Sequence, residues 1–222
     1  VCILINDYVY KTFSQKPDPL QLVSYLFTHF PDGNYHIAYE AGYCGFWIYD
    51  KFTTMGIDCI VVHPADVPTT DKEKRNKNNR VDCRKLAKAL SNGDLIAIYV
   101  PHRDALEDRS FIRSRRNLVK QQTRFKNRIK AMLSLYGIAI PEHFNDGRWS
   151  GNFIKWLEQI EMNRPTGKMA LQIEIDELKR YRNQISIINR EIRKLSKTDR
   201  YKERVKNLIG IPGIGIITAM TF

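Results

Sequence analysis

Two acidic residues stand in sharply different surroundings, and their setting suits chemistry on phosphodiesters. Glu40 ends the run Asn34-Tyr35-His36-Ile37-Ala38-Tyr39-Glu40, and Asp82 lies within Lys77-Asn78-Asn79-Arg80-Val81-Asp82-Cys83-Arg84-Lys85-Leu86-Ala87. A carboxylate closing an apolar strand, followed by a carboxylate on a Lys/Arg-rich helix, can share a divalent metal while the neighbouring cations hold substrate phosphates. Glu40 precedes Ala41-Gly42-Tyr43-Cys44-Gly45, a loop leading into a helix. Taken singly, each acid also fits a plainer role: Glu40 as a solvated strand end, Asp82 as an ion-pair partner one helical turn from a base.

The elements that must position these residues follow from periodicity. Residues 1–5 and 8–13 flank Asn6-Asp7, a turn pair, and predict a β-hairpin. Residues 18–30 have helical spacing, 35–39 and 58–63 read as strands, 45–55 as a helix, and 77–91 as a helix stopped by Asn92-Gly93. A last strand is expected at 97–100. Strands alternating with helices after an opening hairpin predict a mixed α/β sheet over residues 1–101.

Beyond Pro101 the pattern changes to two long helices, 104–136 and 167–197. Leu171, Ile175, Leu178, Tyr181, Ile185, Ile188, Ile192 and Leu195 recur in steps of three and four, as do Leu118, Phe125, Ile129, Met132 and Tyr136 with one skip. An antiparallel coiled coil over 102–200 is expected, with a short helix from Ser150 between its arms. Trp47, Trp149 and Trp156 read as core anchors. Residues 201–222 open a further segment that fits the start of a helix-hairpin-helix at Ile211-Pro212-Gly213-Ile214-Gly215, where Gly213 and Gly215 would let backbone N–H groups approach a phosphate.

Charge separates the two regions. The chain of 222 residues has 36 Lys+Arg against 24 Asp+Glu, a net of +12. Residues 1–70 hold only three of the bases and seven of the acids, so the excess lies in the remainder. A near-neutral domain joined to a basic one points to a polyanionic partner. Nine bases and no acid occupy 109–130. Arg109, Arg113, Arg116, Lys120 and Arg124 fall on one helix face, suited to following a phosphate backbone. Four cysteines without paired spacing argue against a zinc site, and no apolar run is long enough to cross a membrane. A cytoplasmic setting with reduced thiols is expected.

Tyr39-Glu40-Ala41-Gly42-Tyr43-Cys44-Gly45, Val61-Val62-His63-Pro64, the run from Lys77 to Ala87, Asn92-Gly93, Ile98-Tyr99-Val100-Pro101 and Leu208-Ile209-Gly210-Ile211-Pro212-Gly213-Ile214-Gly215 together resemble the DEDD-type transposases of the insertion-sequence one-ten family. The resemblance runs over essentially the whole chain. It implies an RNase H-like (RuvC-like) domain at 1–101, a basic coiled-coil domain at 102–200, and the start of a C-terminal transposase domain at 201–222.

The resemblance implies Mg²⁺ held by four acids. It places the second at Glu40, the fourth at Asp82 and the third at Asn79, where an amide stands instead; the first belongs to an opening strand before Val1. A nucleophilic Ser is implied in a C-terminal domain beginning near Leu208, so Ser110, Ser114, Ser134 and Ser150 are not candidates. The implied activity is DNA strand cleavage and rejoining guided by a structured bridge RNA. Lys77, Arg80, Arg84, the helical stripe, Gly213 and Gly215 would contact nucleic acid, and the coiled coil would make a homo-oligomer. The chain reads as a fragment of that enzyme. A RuvC-like structure-specific nuclease and a non-catalytic nucleic-acid-binding coiled-coil protein are the alternatives.

Overall fold

In the computed structural model, residues 1–68, 78–144 and 147–222 are described. The chain divides into two compact units, Val1–Pro101 and His102–Phe222. The first begins with strands β1 (Cys2–Ile5) and β2 (Tyr8–Thr12), an antiparallel hairpin. Asn6 and Asp7 both take positive φ, 47° and 68°, which matches the right-handed twist of the flanking strands. A bulge between Ile3 and Leu4 shifts the register from Ile3↔Lys11 to Leu4↔Val9.

Helix α1 (Pro19–His29) starts where the Asp18 carboxylate accepts hydrogen bonds from the N–H groups of Leu20 and Gln21. Those are donors that a helix start leaves unpaired. Strand β3 (His36–Glu40) pairs in parallel with β4 (Asp58–Val62), and α2 (Trp47–Thr54) makes the crossover between them. Val23, Phe52, Ile57 and Cys59 form the core of this layer. Helix α3 (Asn79–Ser91) is capped by the Asn78 side chain and packs on β1, β2 and β3.

The strands do not join into the single mixed sheet that the sequence predicts. Among the described residues there are two sheets of two strands each, β1–β2 and β3–β4. The expected strand at 97–100 reduces to one antiparallel bridge, Val62↔Ala97, and one hydrogen bond from the Ile98 N–H to the Val61 carbonyl. Tyr99 is 83% exposed and Pro101 follows, so little burial rewards a longer ladder.

The second unit is built on α4 (Arg103–Leu135) and α6 (Pro165–Leu195). Arg115 reaches Asn189 at 2.5 Å, Phe125 stacks on Tyr181 at 5.4 Å, and Arg128 approaches Glu174 at 3.6 Å. Partner numbers fall on one helix as they rise on the other, so the pair is antiparallel. Ile129 and Leu133 of α4 meet Leu171, Ile175 and Leu178 of α6, and Phe153, Ile154 and Leu157 of α5 (Gly151–Gln159) complete that core. Tyr136, expected in the seam, is instead the exposed C-cap of α4, and Leu133 fills the place one turn earlier.

Helices α7 (Lys202–Ile209) and α8 (Ile216–Ala219) belong to the same unit. Val205, Ala219 and Met220 pack with Ile188 and Ile192 of α6. Arg200 pairs with Asp104 and Asp108, and the Tyr201 hydroxyl donates to Asp108 at 2.8 Å. Among the described residues no helix is long and apolar enough to cross a membrane.

Burial along α6 sets a testable contrast. Leu178→Ala opens the dry junction of three helices and should cost about 2–5 kcal/mol. Ile173→Ala, at an exposed position of the same helix, should stay within about 0.5 kcal/mol. Urea denaturation of both variants measures the difference, and equal losses would place the core elsewhere.

Candidate active site

Glu40 is carried to its position by the parallel pairing of β3, where it sits opposite Val62 at the end of the ladder. The ladder is extended by one bond, from the Ala41 N–H to the Val62 carbonyl at 2.8 Å. Tyr39 fixes the loop that follows: its hydroxyl donates to the Gly45 carbonyl at 3.2 Å and accepts from the Tyr49 N–H at 3.3 Å. The left-handed turn at Gly45, φ 63°, lets the chain return toward α2. Sequence reasoning took Tyr39 only as strand; its spacing from Gly45 and Tyr49 gave no signal of this anchoring.

Asn79 and Asp82 sit three residues apart in the first turn of α3. One cavity of about 1030 Å³ is lined by Glu40, Asn79 and Asp82 together. Glu40 and Asp82 are half-buried and Asn79 is exposed. Lys85 lies 4.0 Å from Asp82 along the helix. The side chains of Glu40 and Asn79 have no hydrogen-bond partner among the described residues, which leaves their oxygens available to a ligand. Among those residues no three His, Cys, Asp or Glu side chains converge into a group that could hold a metal.

The cavity meets its strands from the side. It is lined by every residue of 1–4 and every residue of 34–40. Successive side chains of a strand point to opposite faces, so a cavity lying on a face would meet alternate residues. One that meets all of them approaches the backbone edge. Leu86, Ala87 and Leu90 of α3 and Leu22, Leu26 and Phe52 of α1 and α2 line the rest of the slot.

The remaining expected contacts are dispersed. Arg84 donates from Nε to the Thr12 hydroxyl at 3.3 Å, Arg80 is exposed, and Lys77 lies outside the described residues. Arg109, Arg113, Arg116, Lys120 and Arg124 are all exposed on α4, and none forms an ion pair with a described acid. Gly213 adopts φ 88° in the turn between α7 and α8, and Gly215 caps α8, which is only four residues long.

A family model described as a transposase, of the DEDD insertion-sequence one-ten type, matches residues 7–138, more than half of the chain. A transposase of Sinorhizobium fredii, y4qE, is 30% identical over 137 residues, 62% of this chain and 34% of its own length. The transposase for insertion sequence element IS1533 of Leptospira borgpetersenii is 24% identical over 83% of this chain and 53% of its own length. That for insertion sequence element IS1111A of Coxiella burnetii is 26% identical over 78% of this chain and 46% of its own. The chain thus spans about half, or less, of the length of these curated relatives.

The strands that carry Glu40 titrate in a predictable way. Burial pushes the Cys59 thiol from 9.0 up to about 12 and the Tyr39 phenol from 10.0 up to about 12. Both stay neutral in the fold while the unfolded chain ionises, so their stabilising contribution is complete below pH 9 and is lost as pH rises toward 12. Urea midpoints measured across that range should fall, and Cys59→Val should make the fall shallower. Parallel curves for the two proteins would mean that another group controls alkaline unfolding.

Proposed function

The chain belongs to the DEDD transposases of the insertion-sequence one-ten family, and from that premise we propose that it forms part of an enzyme that cleaves and rejoins DNA with the help of a divalent metal and a structured guide RNA. One observation carries the reading. Glu40 and Asp82, on different elements and more than forty positions apart, line one cavity together with Asn79. Both acids thus open onto one space that a single ligand can enter.

The donor set fits Mg²⁺ in its sparest form. That ion keeps several waters and takes one or two carboxylates plus substrate phosphate oxygens. Glu40 and Asp82 would be the carboxylates, and Asn79 would add a neutral amide oxygen. When bound, the ion would polarise the scissile phosphate and neutralise developing charge. Tyr39 holds the loop after Glu40, and Lys85 sets a cation 4.0 Å from Asp82.

The edge-on slot supports the same reading. An extended strand seated between β1 and β3 would join the two small sheets, and apolar side chains on both of its faces would meet α3 on one side and α1 and α2 on the other. The first acid of the family would enter on such a strand. The basic stripe of α4, exposed and without acidic partners, would follow a phosphate backbone, and α4 with α6 would supply the homo-oligomeric contact.

Calorimetric Mg²⁺ titration of the chain tests the metal site. Binding should be weak and should weaken at least several-fold in Glu40→Gln and in Asp82→Asn, while Asn79→Asp should tighten it. Identical isotherms for all four proteins would remove the metal assignment. Mg²⁺-dependent cleavage of DNA by this chain alone, abolished by Glu40→Gln, would favour the nuclease alternative.

The stripe has its own test. Replacing Arg113, Arg116, Lys120 and Arg124 with Gln preserves helix propensity. The log–log slope of DNA or RNA affinity against salt should drop by about three, at roughly 0.7–0.9 per lost phosphate contact. An unchanged slope would make the stripe a solvated face.

A further inference from the structure

A second set of cations flanks the α4–α6 seam, away from the stripe. The Lys126 ammonium lies 5.6 Å from the centre of the Trp149 ring, and Arg182 of α6 donates from Nη1 to the Trp149 carbonyl at 2.9 Å. Trp149 is itself held edge-on against Phe153, a residue of the dry core, at 5.1 Å. Burial and the positive charges of Arg182 and Lys130 together lower the pKa of Lys126, and no carboxylate acts in the other direction. Lys126, Lys130 and Arg182 form no ion pair with a described acid.

Among the described residues, the acids of α6 leave Lys126, Lys130 and Arg182 unpaired, and at the Ser186 cavity Glu191 engages Lys194 and Arg190 but not Arg193 or Lys197. Glu174 approaches Arg128, Glu177 pairs with Arg180, and Glu191 pairs with Lys194 and lies near Arg190. Lys126 and Arg182, both half-buried, meet at Trp149 with the exposed Lys130 near enough to repel Lys126, an unfavourable arrangement that an anion would reverse.

The same face continues along α6. Arg182, Ser186 and Arg193 are spaced by four and seven residues, which keeps them on one side of the helix, and Lys197 follows in the turn just past its end. Ser186, Arg190, Arg193, Lys194 and Lys197 surround a cavity of about 420 Å³. Arg193 and Lys194 at the last turn also complement the negative end of the helix, which accounts for those two without a ligand. It does not account for Lys126, Lys130 and Arg182, since Arg182 stands more than three turns from that end. Arg182 and Arg193 are about 16 Å apart along the axis, at 1.5 Å per residue. Lys126 lies roughly a third of a turn around α4 from the Arg113–Arg124 stripe, at 100° per residue.

We propose that this flank of the α4–α6 pair is a second nucleic-acid track, in which Lys126, Lys130 and Arg182 seat one backbone phosphate and the basic cavity around Ser186 and Arg193 seats another. Two anion seats on one helix face fit a polymer better than a single phosphate. The Ser186 hydroxyl and the guanidinium groups donate to the phosphate oxygens, and no base is read. The inference rests on the reading that the chain handles nucleic acid and adds a separate surface to it.

Lysine footprinting on the full chain tests it without any substitution. An amine-reactive reagent is applied with and without a short DNA duplex, an RNA hairpin or inorganic phosphate, at matched ionic strength, and labelled peptides are quantified by mass spectrometry. Lys126 should label readily in the free chain because its pKa is lowered. Either nucleic acid should protect Lys126, Lys130 and Lys197 several-fold, and inorganic phosphate should not. Protection of Lys120 with unchanged labelling at Lys126 and Lys197 would overturn this track while leaving the α4 stripe standing. Absence of protection at every lysine would overturn both. Equal protection by inorganic phosphate would overturn the polymer as ligand. As a second measurement, Lys130→Gln with Lys197→Gln, both exposed, should lower the salt slope of binding by about one and a half from the same counterion arithmetic.

Discussion

The parallel pairing of β3 with β4 is the constraint on which the candidate site depends. A parallel pair needs a crossover, and α2 provides it while burying Phe52 against Ile57 and Cys59. The pairing ends with Glu40 opposite Val62, both strands running the same way, so the carboxylate is delivered to the carboxyl end of the ladder. In α/β sheets that end is where ligand crevices form. Were β3 to slip by one residue, Glu40 would turn to the other face. The buried Val61 and Val62, each 1% exposed, hold the register against that slip.

Helix α3 adds the second acid by a different route. Its start is set by Asn78, whose side chain caps the helix through the Val81 N–H at 2.9 Å. The cap fixes which residues occupy the first turn, and Asn79 and Asp82 are among them. Packing on both β1 and β3 then brings that turn to the same cavity as Glu40. The acids are thus placed by backbone register and a helix cap. The second unit has the opposite electrostatic character. Its long helices are joined by apolar packing, and its many exposed ion pairs contribute little to stability. Among the described residues, Arg113, Arg116, Lys120 and Arg124 of α4 and Arg182 and Arg193 of α6 form no ion pair, and a polyanion can reach them.

Much of the element list was legible in the sequence. The hairpin followed from Asn6-Asp7, α1 from the helical spacing of residues 18–30, the end of α3 from Asn92-Gly93, and the long helices from the spacing of Leu171, Ile175 and Leu178. The single mixed sheet was not found. Hydrophobic runs announce strands but do not say which edges meet, and β1 and β3 face a slot instead of each other. The strand expected at 97–100 shrank to one bridge because half of its side chains face water. Trp149 was read as a core anchor, yet its ring also receives Lys126 and its carbonyl receives Arg182, from helices well removed in sequence.

By itself the sequence determined the family, the charge imbalance, the helical stripe of bases and the identity of the acids that could serve a metal. Those properties live in residue types and short spacings, which local physics converts into helices, turns and strands. Tertiary structure alone decided that Glu40, Asn79 and Asp82 share one cavity, that this cavity meets β1 and β3 at their edges, and that Lys126 and Arg182 converge on Trp149. Such convergence depends on packing between elements distant along the chain. Periodicity fixes the face a residue occupies on its own element, but only the pairing of elements fixes what that face meets.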